Sequence, residues 1–306
     1  MKKLITSLSL SLCLIGSGIS NPLCYNVGVN YTPQSQGTNT QLDQIKNKFS
    51  MIHLYHYDLA TLQYARAHGL QVMLGTTNAN AASFANKAAA EAFAKKIIPF
   101  IQSETIKVIL LGNEPLNSSR FNQADKITQA ITNVYSSLGE NTVPVTININ
   151  DNTYWGGSLD PRLHTVLPAI ESQSLPWLFI DLYPFISKGV TIATAKTTFI
   201  NQINGWKTVL STKYPHIKIG VAQTGWASAG GPTKTGQVTS LSNENQYLED
   251  IVSASQSQHI PVFISTAFDH PNTAQNSWDG HFGIFKNGIE IPNGLNTSNF
   301  YFCPII

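Results

Sequence analysis

The stretch IKVILLGNEP, residues 106–115, is a short apolar run that ends in a glycine, an amide, a carboxylate and a proline. Short runs of Ile, Val and Leu bounded by turn residues are typical of buried β-strands. Seven other runs in the chain have the same character, so the sequence predicts eight strands. We place them at residues 25–31, 51–55, 70–75, 106–112, 143–149, 177–183, 217–223 and 261–268.

Helical patterns lie between these strands. In residues 121–138, Ile127, Ile131 and Val134 recur at the spacing of one helix face. Strands that alternate with helices in this way predict an α/β fold, a single (β/α)8 TIM barrel, and a doubly wound open sheet is the main alternative. Because no repeat or linker divides the chain, we assign residues 21–306 to one barrel domain. Further examples of helical stretches are residues 58–67, 81–101, 193–212 and 243–257.

The N-terminus has the features of a secretory signal peptide. Lys2 and Lys3 precede the apolar residues 4–15, and small residues then lead to Ser20. We therefore predict that residues 1–20 are a signal peptide and that the protein is secreted or periplasmic; the alternative is a buried N-terminal strand. The apolar run is too short to span a membrane as a helix.

The charge of the chain is low and balanced. Charged residues make up 12% of it, and without Lys2 and Lys3 there are 17 basic and 17 acidic side chains. This balance gives no reason to expect nucleic acid or an anionic membrane surface as a partner. A neutral cell-wall polysaccharide would suit such a surface, although neutrality alone does not select it. We expect a monomer.

Two of the three cysteines remain once the signal peptide and Cys13 are removed. Cys24 and Cys303 stand at opposite ends of the mature chain, and in a closed barrel the first strand and the last helix are neighbours. In an oxidising compartment we therefore predict a disulfide bond between them, and two free thiols are the alternative.

Polar side chains follow nearly every predicted strand. Because the carboxyl ends of the strands of a barrel meet at one mouth, these side chains are expected to gather there. A glutamate just past a buried strand, as Glu114 is, lies in a partly dry cleft that favours a proton donor. Asn113 beside it can hydrogen-bond a sugar 2-hydroxyl. The residues at the strand ends are Tyr31, Tyr55, Asn78, Asn113, Glu114, Asn150, Asp151, Tyr183, Gln223 and Asp269.

A second strand end, IGVAQTGW at residues 219–226, resembles the strand end that carries the nucleophile of a sugar-cleaving barrel enzyme, but it has an amide, Gln223, in place of a carboxylate. The two-carboxylate mechanism needs one group that protonates the leaving oxygen and another that attacks or stabilises the sugar carbon. Trp226 follows closely, and its indole is a candidate floor for a sugar ring. Core packing between a loop and the barrel is the alternative for Trp226.

These segments resemble glycoside hydrolase family 17, the β-1,3-glucanases and related glucan transglycosylases. The resemblance extends over nearly the whole mature chain. The matching segments are VGVNY (27–31), HLY (53–55), MLG (73–75), LGNE (111–114), LYPF (182–185), WASAGG (226–231), ENQ (244–246), AFD (267–269) and HFGIF (281–285).

The resemblance implies an eight-stranded barrel, a retaining mechanism and a β-glucan groove. It assigns Glu114 as the general acid/base and position 223 as the nucleophile. It also implies a set of substrate-binding side chains along the groove, namely Tyr31, Tyr55, Asn113, Tyr183 and Trp226.

The chain departs from the family pattern at carboxylates. The nucleophilic glutamate is replaced by Gln223, and Thr266 and His270 stand where the motif of the eighth strand usually carries glutamates. Asp181 and Asp269 are candidate surrogates for activating water in an inverting mechanism, which needs carboxylates roughly 6.5–9.5 Å apart. Hydrogen bonding to barrel or loop backbone is the alternative for both.

Three functions therefore follow from the sequence. The first is a β-glucan hydrolase or transglycosylase that works through Glu114 and an unconventional partner. The second is an inactive relative that binds β-glucan or a similar polysaccharide. The third is a partner-binding scaffold. No metal and no cofactor are predicted, because the eight histidines show no metal-binding spacing.

Overall fold

A computed structural model describes residues 27–33, 38–119, 121–151, 154–155, 158–270 and 277–285. The predicted signal peptide and the predicted Cys24–Cys303 disulfide lie outside the described residues and stay predictions. In the part of the chain that is described, no helix is long and apolar enough to cross a membrane.

The barrel is a parallel sheet that closes on itself. Its strand order is β5-β4-β3-β2-β1-β11-β10-β9-β6. β5 pairs with β4 and β6 pairs with β9, and only Ile147 separates β5 from β6 in the chain. β5 and β6 thus share the fifth of eight strand positions, which confirms the predicted barrel and excludes the open sheet. The strands are β1 Val27–Tyr31, β2 Met51–Leu54, β3 Gln71–Gly75, β4 Ile106–Leu110, β5 Val145–Thr146, β6 Asn148–Asn150, β9 Trp177–Asp181, β10 Lys218–Thr224 and β11 Val262–Ile264.

Eight helices pack around the described part of the barrel. The predicted helix 81–101 is divided in two, because Asn86 caps the second part by accepting a hydrogen bond from the Ala89 N–H. Two of the helices, α1 and α6, were not among the examples named from the sequence. The helices are α1 Thr38–Lys46, α2 Leu59–His68, α3 Asn78–Ser83, α4 Lys87–Gln102, α5 Ala124–Ser137, α6 Leu163–Glu171, α7 Ile192–Ser211 and α8 Leu241–Gln258.

Short elements occur in the connections between strands and helices. Tyr154–Trp155 (β7) and Ser158–Leu159 (β8) form a small antiparallel pair between β6 and α6. Turns of 3-10 helix follow β4, β9 and β11, at Pro115–Asn117, Pro184–Ile186 and Trp278–Gly280.

The interior of the barrel is filled by large side chains set against glycines. A Cβ atom on Gly28 would lie 2.6 Å from the ring of Phe263, and one on Gly220 would lie 2.4 Å from the ring of Phe179. The two aromatic rings therefore occupy space that only glycine on the neighbouring strand leaves free. The inner cluster consists of Met51, Met73, Val108, Leu110, Trp177, Phe179, Ala222 and Phe263.

His53 lies above this cluster and below the mouth of the barrel. Its side chain is buried, its ring is 4.6 Å from that of Tyr55, and Nδ1 is 3.3 Å from Oδ1 of Asn30. Burial lowers the pKa of His53 to about 3, although a hydrogen bond with the backbone of Ala222 acts in the opposite direction. The imidazole is therefore neutral at neutral pH.

Removal of an inner ring should strongly destabilise the barrel. We expect Phe179→Ala to lower the free energy of unfolding by about 3–5 kcal/mol, because it leaves a cavity in a closed interior. Leu59→Ala, at a side chain that is 47% exposed, is the control and should change it by less than about 0.5 kcal/mol. Urea unfolding measures both, and equal losses would contradict the packing described.

The buried imidazole should make the fold sensitive to mild acid. The unfolded state binds a proton at His53 below its ordinary pKa of about 6.5 whereas the folded state does not, so stability falls as the pH falls. Between pH 6.0 and 4.5 this group alone should cost about 2 kcal/mol.

Urea unfolding at the two pH values measures this loss. His53→Gln should reduce the loss by about that amount, and the exposed His216→Gln should leave it unchanged. The readout is the difference between the two pH values, so a constant loss of stability in His53→Gln does not affect it. An unchanged loss in His53→Gln would contradict the neutral, buried imidazole.

Candidate active site

Glu114 stands just after β4 on an unusual piece of backbone. Its φ is +44° and its ψ +55°, a left-handed conformation that costs a non-glycine residue about 1 kcal/mol or more and persists only where the surroundings enforce it. The N–H of Glu114 donates to Oδ1 of Asn148 at 3.2 Å. Nδ2 of Asn150 lies 3.3 Å and 3.4 Å from the two carboxylate oxygens of Glu114. β6 thus holds both the backbone and the carboxylate of Glu114.

The segment before Glu114 is fixed by the end of β3. Oδ1 of Asn78 accepts from the Asn113 N–H at 3.0 Å, and Nδ2 of Asn78 donates to the Asn113 carbonyl at 2.9 Å. The Gly112 N–H donates to Oγ1 of Thr76 at 3.0 Å. Gly112 itself has φ +81°, and a Cβ atom there would lie 2.3 Å from Oδ1 of Asn78, so glycine is required.

Gln223 reaches the same place from β10, where it stands beside Asp181 in the register with β9. Its Nε2 donates to Oδ1 of Asn113 at 2.6 Å and to Oδ2 of Asp181 at 3.1 Å. Its Oε1 accepts from the hydroxyl groups of Tyr55 at 3.2 Å and Tyr183 at 3.3 Å. Both donors and both lone pairs of the amide are used, so the hydrogen-bonding capacity of the Gln223 side chain is fully satisfied.

Asn148 connects these groups, and sequence reasoning missed it. Its Nδ2 donates to Oδ1 of Asn113 at 2.8 Å and to Oδ2 of Asp181 at 2.7 Å. Asn148 and Asn150 stand two residues apart on β6, so they point to the same side of the strand. That alternation of amides at the end of a predicted strand was the signal available in the sequence.

Asp181 is buried at the end of β9. Burial, followed by the negative charge of nearby Glu114, raises the pKa of Asp181 well above its usual range, and the donor from Asn148 only partly offsets this. Among the described residues, Oδ1 of Asp181 has no hydrogen-bond partner.

An inverting mechanism needs a base that has room for a water molecule and lies roughly 6.5–9.5 Å from the acid. The side chain of Asp181 is only 2% exposed, and its Oδ2 already accepts from Asn148 and Gln223. For Asp181 the structure therefore favours a hydrogen-bonding role within the barrel.

The two tyrosines act as neutral donors. Burial raises the pKa values of the phenols of Tyr55 and Tyr183, and the negative charge of Asp181 raises both further. Asn30 donates to the Tyr55 hydroxyl at 3.0 Å and so fixes its position. Both side chains are half-buried and lie at the mouth of the barrel, as predicted for cleft residues.

Trp226 does not line the cleft, although the sequence analysis predicted that it would. Its side chain is only 2% exposed, its ring lies 5.0 Å from Phe185 and 5.6 Å from Tyr247, and its Nε1 donates to the Val238 carbonyl at 2.9 Å. The loop after β10 therefore covers the indole, so no face of it is presented to a sugar. Core packing, the alternative stated above, is what the structure shows.

Tyr31 is corrected for the same reason. The side chain is completely buried, and its hydroxyl donates to Oε1 of Gln41 on α1 at 3.2 Å. Its ring packs against Phe268 at 6.4 Å. Tyr31 thus joins the first strand to the loop after β11 instead of lining the cleft.

Asp269 holds the segment that follows β11. Its Oδ1 accepts from the Gly283 N–H at 2.7 Å, and its Oδ2 lies 3.8 Å from Nδ1 of His281. Thr266 is buried and donates to the Asn30 carbonyl at 2.9 Å, while His270 is exposed. The structural alternative also fits Asp269 best, and none of these three residues hydrogen-bonds to Gln223 or Glu114 in the described structure.

An open cleft of about 490 Å³ lies beside Glu114. Amides and hydroxyl groups dominate its walls, which suits a neutral polar ligand. In the described part of the chain, no cluster of three or more His, Cys, Asp or Glu side chains is arranged to hold a metal ion. The cleft residues include Thr77, Asn78, Asn113, Glu114, Asn117 and Ser118.

Proteins with related sequences are plant and fungal carbohydrate-active proteins. The chain is 21% identical to an acidic isoform of glucan endo-1,3-β-glucosidase from Nicotiana tabacum, over 92% of this chain and 95% of that one. It is 26% identical to the probable β-glucosidase btgE of Emericella nidulans, over 74% of this chain and 41% of that one.

Solved structures share the fold. CJP38, a β-1,3-glucanase and allergen of Cryptomeria japonica pollen, superposes with a TM-score of 0.74 at 18% identity, over 85% of this chain and 95% of that one. The glycoside hydrolase family 17 β-1,3-glucanosyltransferase from Rhizomucor miehei superposes with a TM-score of 0.69 at 19% identity, over 89% of this chain and 98% of that one.

The model of one protein family matches residues 24–283, which is most of the chain. The match extends from the start of the barrel to the segment after β11 and includes every residue of the site described above. It agrees with the family 17 resemblance read from the sequence. The chain belongs to the BtgE/BtgC glycoside hydrolase domain family.

Proposed function

We propose that the protein is exported from the cell and binds β-1,3-glucan-type polysaccharide in the cleft beside Glu114 without hydrolysing it. The observation that carries the proposal is the state of Gln223. A neutral amide with four hydrogen bonds occupies the position that the family resemblance assigns to the nucleophile.

The cleft has the groups that bind sugar hydroxyls. Asn113 is exposed, and its Oδ1 is used by Asn148 and Gln223. Its Nδ2 makes no hydrogen bond to any described residue, so it is free to donate to a ligand. Neutral amides and hydroxyl groups around an acid suit an uncharged polysaccharide, and relatives that are named β-1,3-glucanases point to the β-1,3-linked class.

Hydrolysis lacks its second carboxylate. The retaining mechanism needs a nucleophile a short distance from the acid, and the inverting mechanism needs a base with room for water. Asp181 is buried and accepts from Asn148 and Gln223, and Asp269 accepts from the Gly283 N–H. Removal of a nucleophile commonly costs several orders of magnitude in rate, whereas binding contacts elsewhere survive.

A pure scaffold role is less well supported. Glu114 keeps a strained backbone, a hydrogen bond from Asn150 to its carboxylate, and an open cleft beside it. A barrel that served only as a docking surface would have no need of this arrangement. Slow hydrolysis through Glu114 therefore remains the main competitor, and the test below separates it from binding alone.

Retardation in a gel that contains soluble β-1,3-glucan tests the binding. We expect the mature protein to be retarded and Asn113→Ala to bind about 5–10-fold more weakly, since it loses a hydrogen bond worth about 1–1.5 kcal/mol. Asn204→Ala, at an exposed position on α7, is the matched control and should bind like the wild type.

Product release from a β-1,3-glucan oligosaccharide tests the chemistry. We expect no turnover above the level of Glu114→Ala. Turnover that Glu114→Ala abolishes would contradict the proposal that the protein is inactive. An absence of retardation in every variant would contradict β-1,3-glucan as the ligand.

A further inference from the structure

Gln223 and Asp181 are joined by a hydrogen bond between neighbouring strands at the base of the cleft. Nε2 of Gln223 lies 3.1 Å from Oδ2 of Asp181, and the two residues face each other in the register of β9 and β10. We propose that they are a matched amide–carboxyl pair, in which position 223 accepts an ionised carboxylate only when position 181 carries an amide.

The direction of the hydrogen bonds around the pair is fixed by a backbone group. The Glu114 N–H can only donate, so Asn148 must present Oδ1 to it and Nδ2 to the opposite side. Nδ2 of Asn148 then requires acceptors at Asn113 and Asp181. Those same two acceptors face Gln223, which must therefore present its Nε2.

A carboxylate at position 223 would meet two acceptors. Its oxygen would replace Nε2, which lies 2.6 Å from Oδ1 of Asn113 and 3.1 Å from Oδ2 of Asp181. It would also be the third acid of a site that already contains Asp181 and Glu114. Like charges at such distances cannot all ionise, so the new acid would stay protonated or push its neighbours apart.

An amide at position 181 removes the like-charge conflict, because it eliminates the buried acid. Its oxygen still accepts from Nδ2 of Asn148, and its N–H₂ group takes the place of Oδ1, which has no partner among the described residues. The tyrosine hydroxyls already point at the other oxygen of residue 223 and suit a carboxylate as well as an amide. The two substitutions together would therefore keep the number of acids in the site and move one of them from position 181 to position 223.

The exchange has a functional consequence that rests on the proposed function. With the acid at position 223 and Glu114 unchanged, the cleft would contain the acid/base and nucleophile pair that the family resemblance implies. The coupling between positions 181 and 223 does not depend on any ligand, so it can be measured from the thermal stability of the variants.

Thermal unfolding of the full mature chain tests the pair. The variants are wild type, Gln223→Glu, Asp181→Asn and the double variant, and Gln63→Glu at an exposed position of α2 controls for the added charge. We expect Gln223→Glu to lower Tm by about 5 °C or more at pH 7.5, and the double variant to regain at least half of that loss. Gln63→Glu should shift Tm by less than about 2 °C.

The pH dependence gives a second readout that does not require Asp181→Asn to fold. The groups that face position 223 are the carboxyls of Asp181 and Glu114 and the phenols of Tyr55 and Tyr183, with His53 neutral behind Asn30. A new carboxyl whose pKa is raised in the folded state loses stability as the pH rises above its unfolded value of about 4.3. The Tm deficit of Gln223→Glu relative to wild type should therefore grow from pH 4.5 to pH 7.5.

Two stability results would overturn the proposal: additive effects of the two substitutions, or a Tm deficit of Gln223→Glu that does not change with pH. Either would show that the acid at position 181 does not control position 223.

Turnover of a β-1,3-glucan oligosaccharide extends the test. The double variant should show kcat/KM at least about 100-fold above that of Gln223→Glu, since only there is the new acid ionised as a nucleophile. Equal or higher activity of Gln223→Glu alone would also overturn the proposal. Non-additive stability with no turnover in any variant would support the pair and reject the glucan assignment instead.

Discussion

The hydrogen bond from the backbone N–H of Glu114 to Oδ1 of Asn148 orients the polar side chains at the mouth of the barrel. Because a backbone N–H can only donate, it fixes which end of the Asn148 amide faces which neighbour. With this orientation, Asn148 donates to acceptor oxygens of Asn113 and Asp181. Gln223 faces the same two oxygens and must donate to them as well. The hydrogen bonds available at position 223 thus depend on β6, a strand on another side of the barrel, and an amide at position 223 satisfies all of them.

Closure of the barrel brings these hydrogen-bonding residues together. Residues that lie up to 110 positions apart in the chain come within hydrogen-bond distance because β4, β6, β9 and β10 end at the same mouth. The left-handed conformation of Glu114 belongs to the same arrangement, since it aims the acid into the cleft while its N–H reaches β6. The site therefore combines a well-supported acid, Glu114, with an uncharged amide at position 223, and this combination is the reason for proposing a binding protein built on a hydrolase fold.

Periodicity predicted the fold well, because each strand is a compact apolar run and the long helices bury one face. It missed α1, whose buried apolar positions are few, among them Leu42 and Ile45, and α6, which is short and contains Pro168. At the site, Glu114, Gln223, Tyr55 and Tyr183 were found from their strand-end positions. Asn148 was not, because an amide inside a strand has no motif. Trp226 was misjudged, because the sequence does not show that a loop will cover it.

The most direct test of the account is a crystal structure of the wild-type mature protein soaked with a β-1,3-linked glucose oligosaccharide. The account predicts an intact oligosaccharide in the cleft beside Glu114, with the side chain of Gln223 still hydrogen-bonded to Asn113 and Asp181. A cleaved oligosaccharide, a sugar covalently bound to the protein, or an empty cleft at saturating ligand would contradict it.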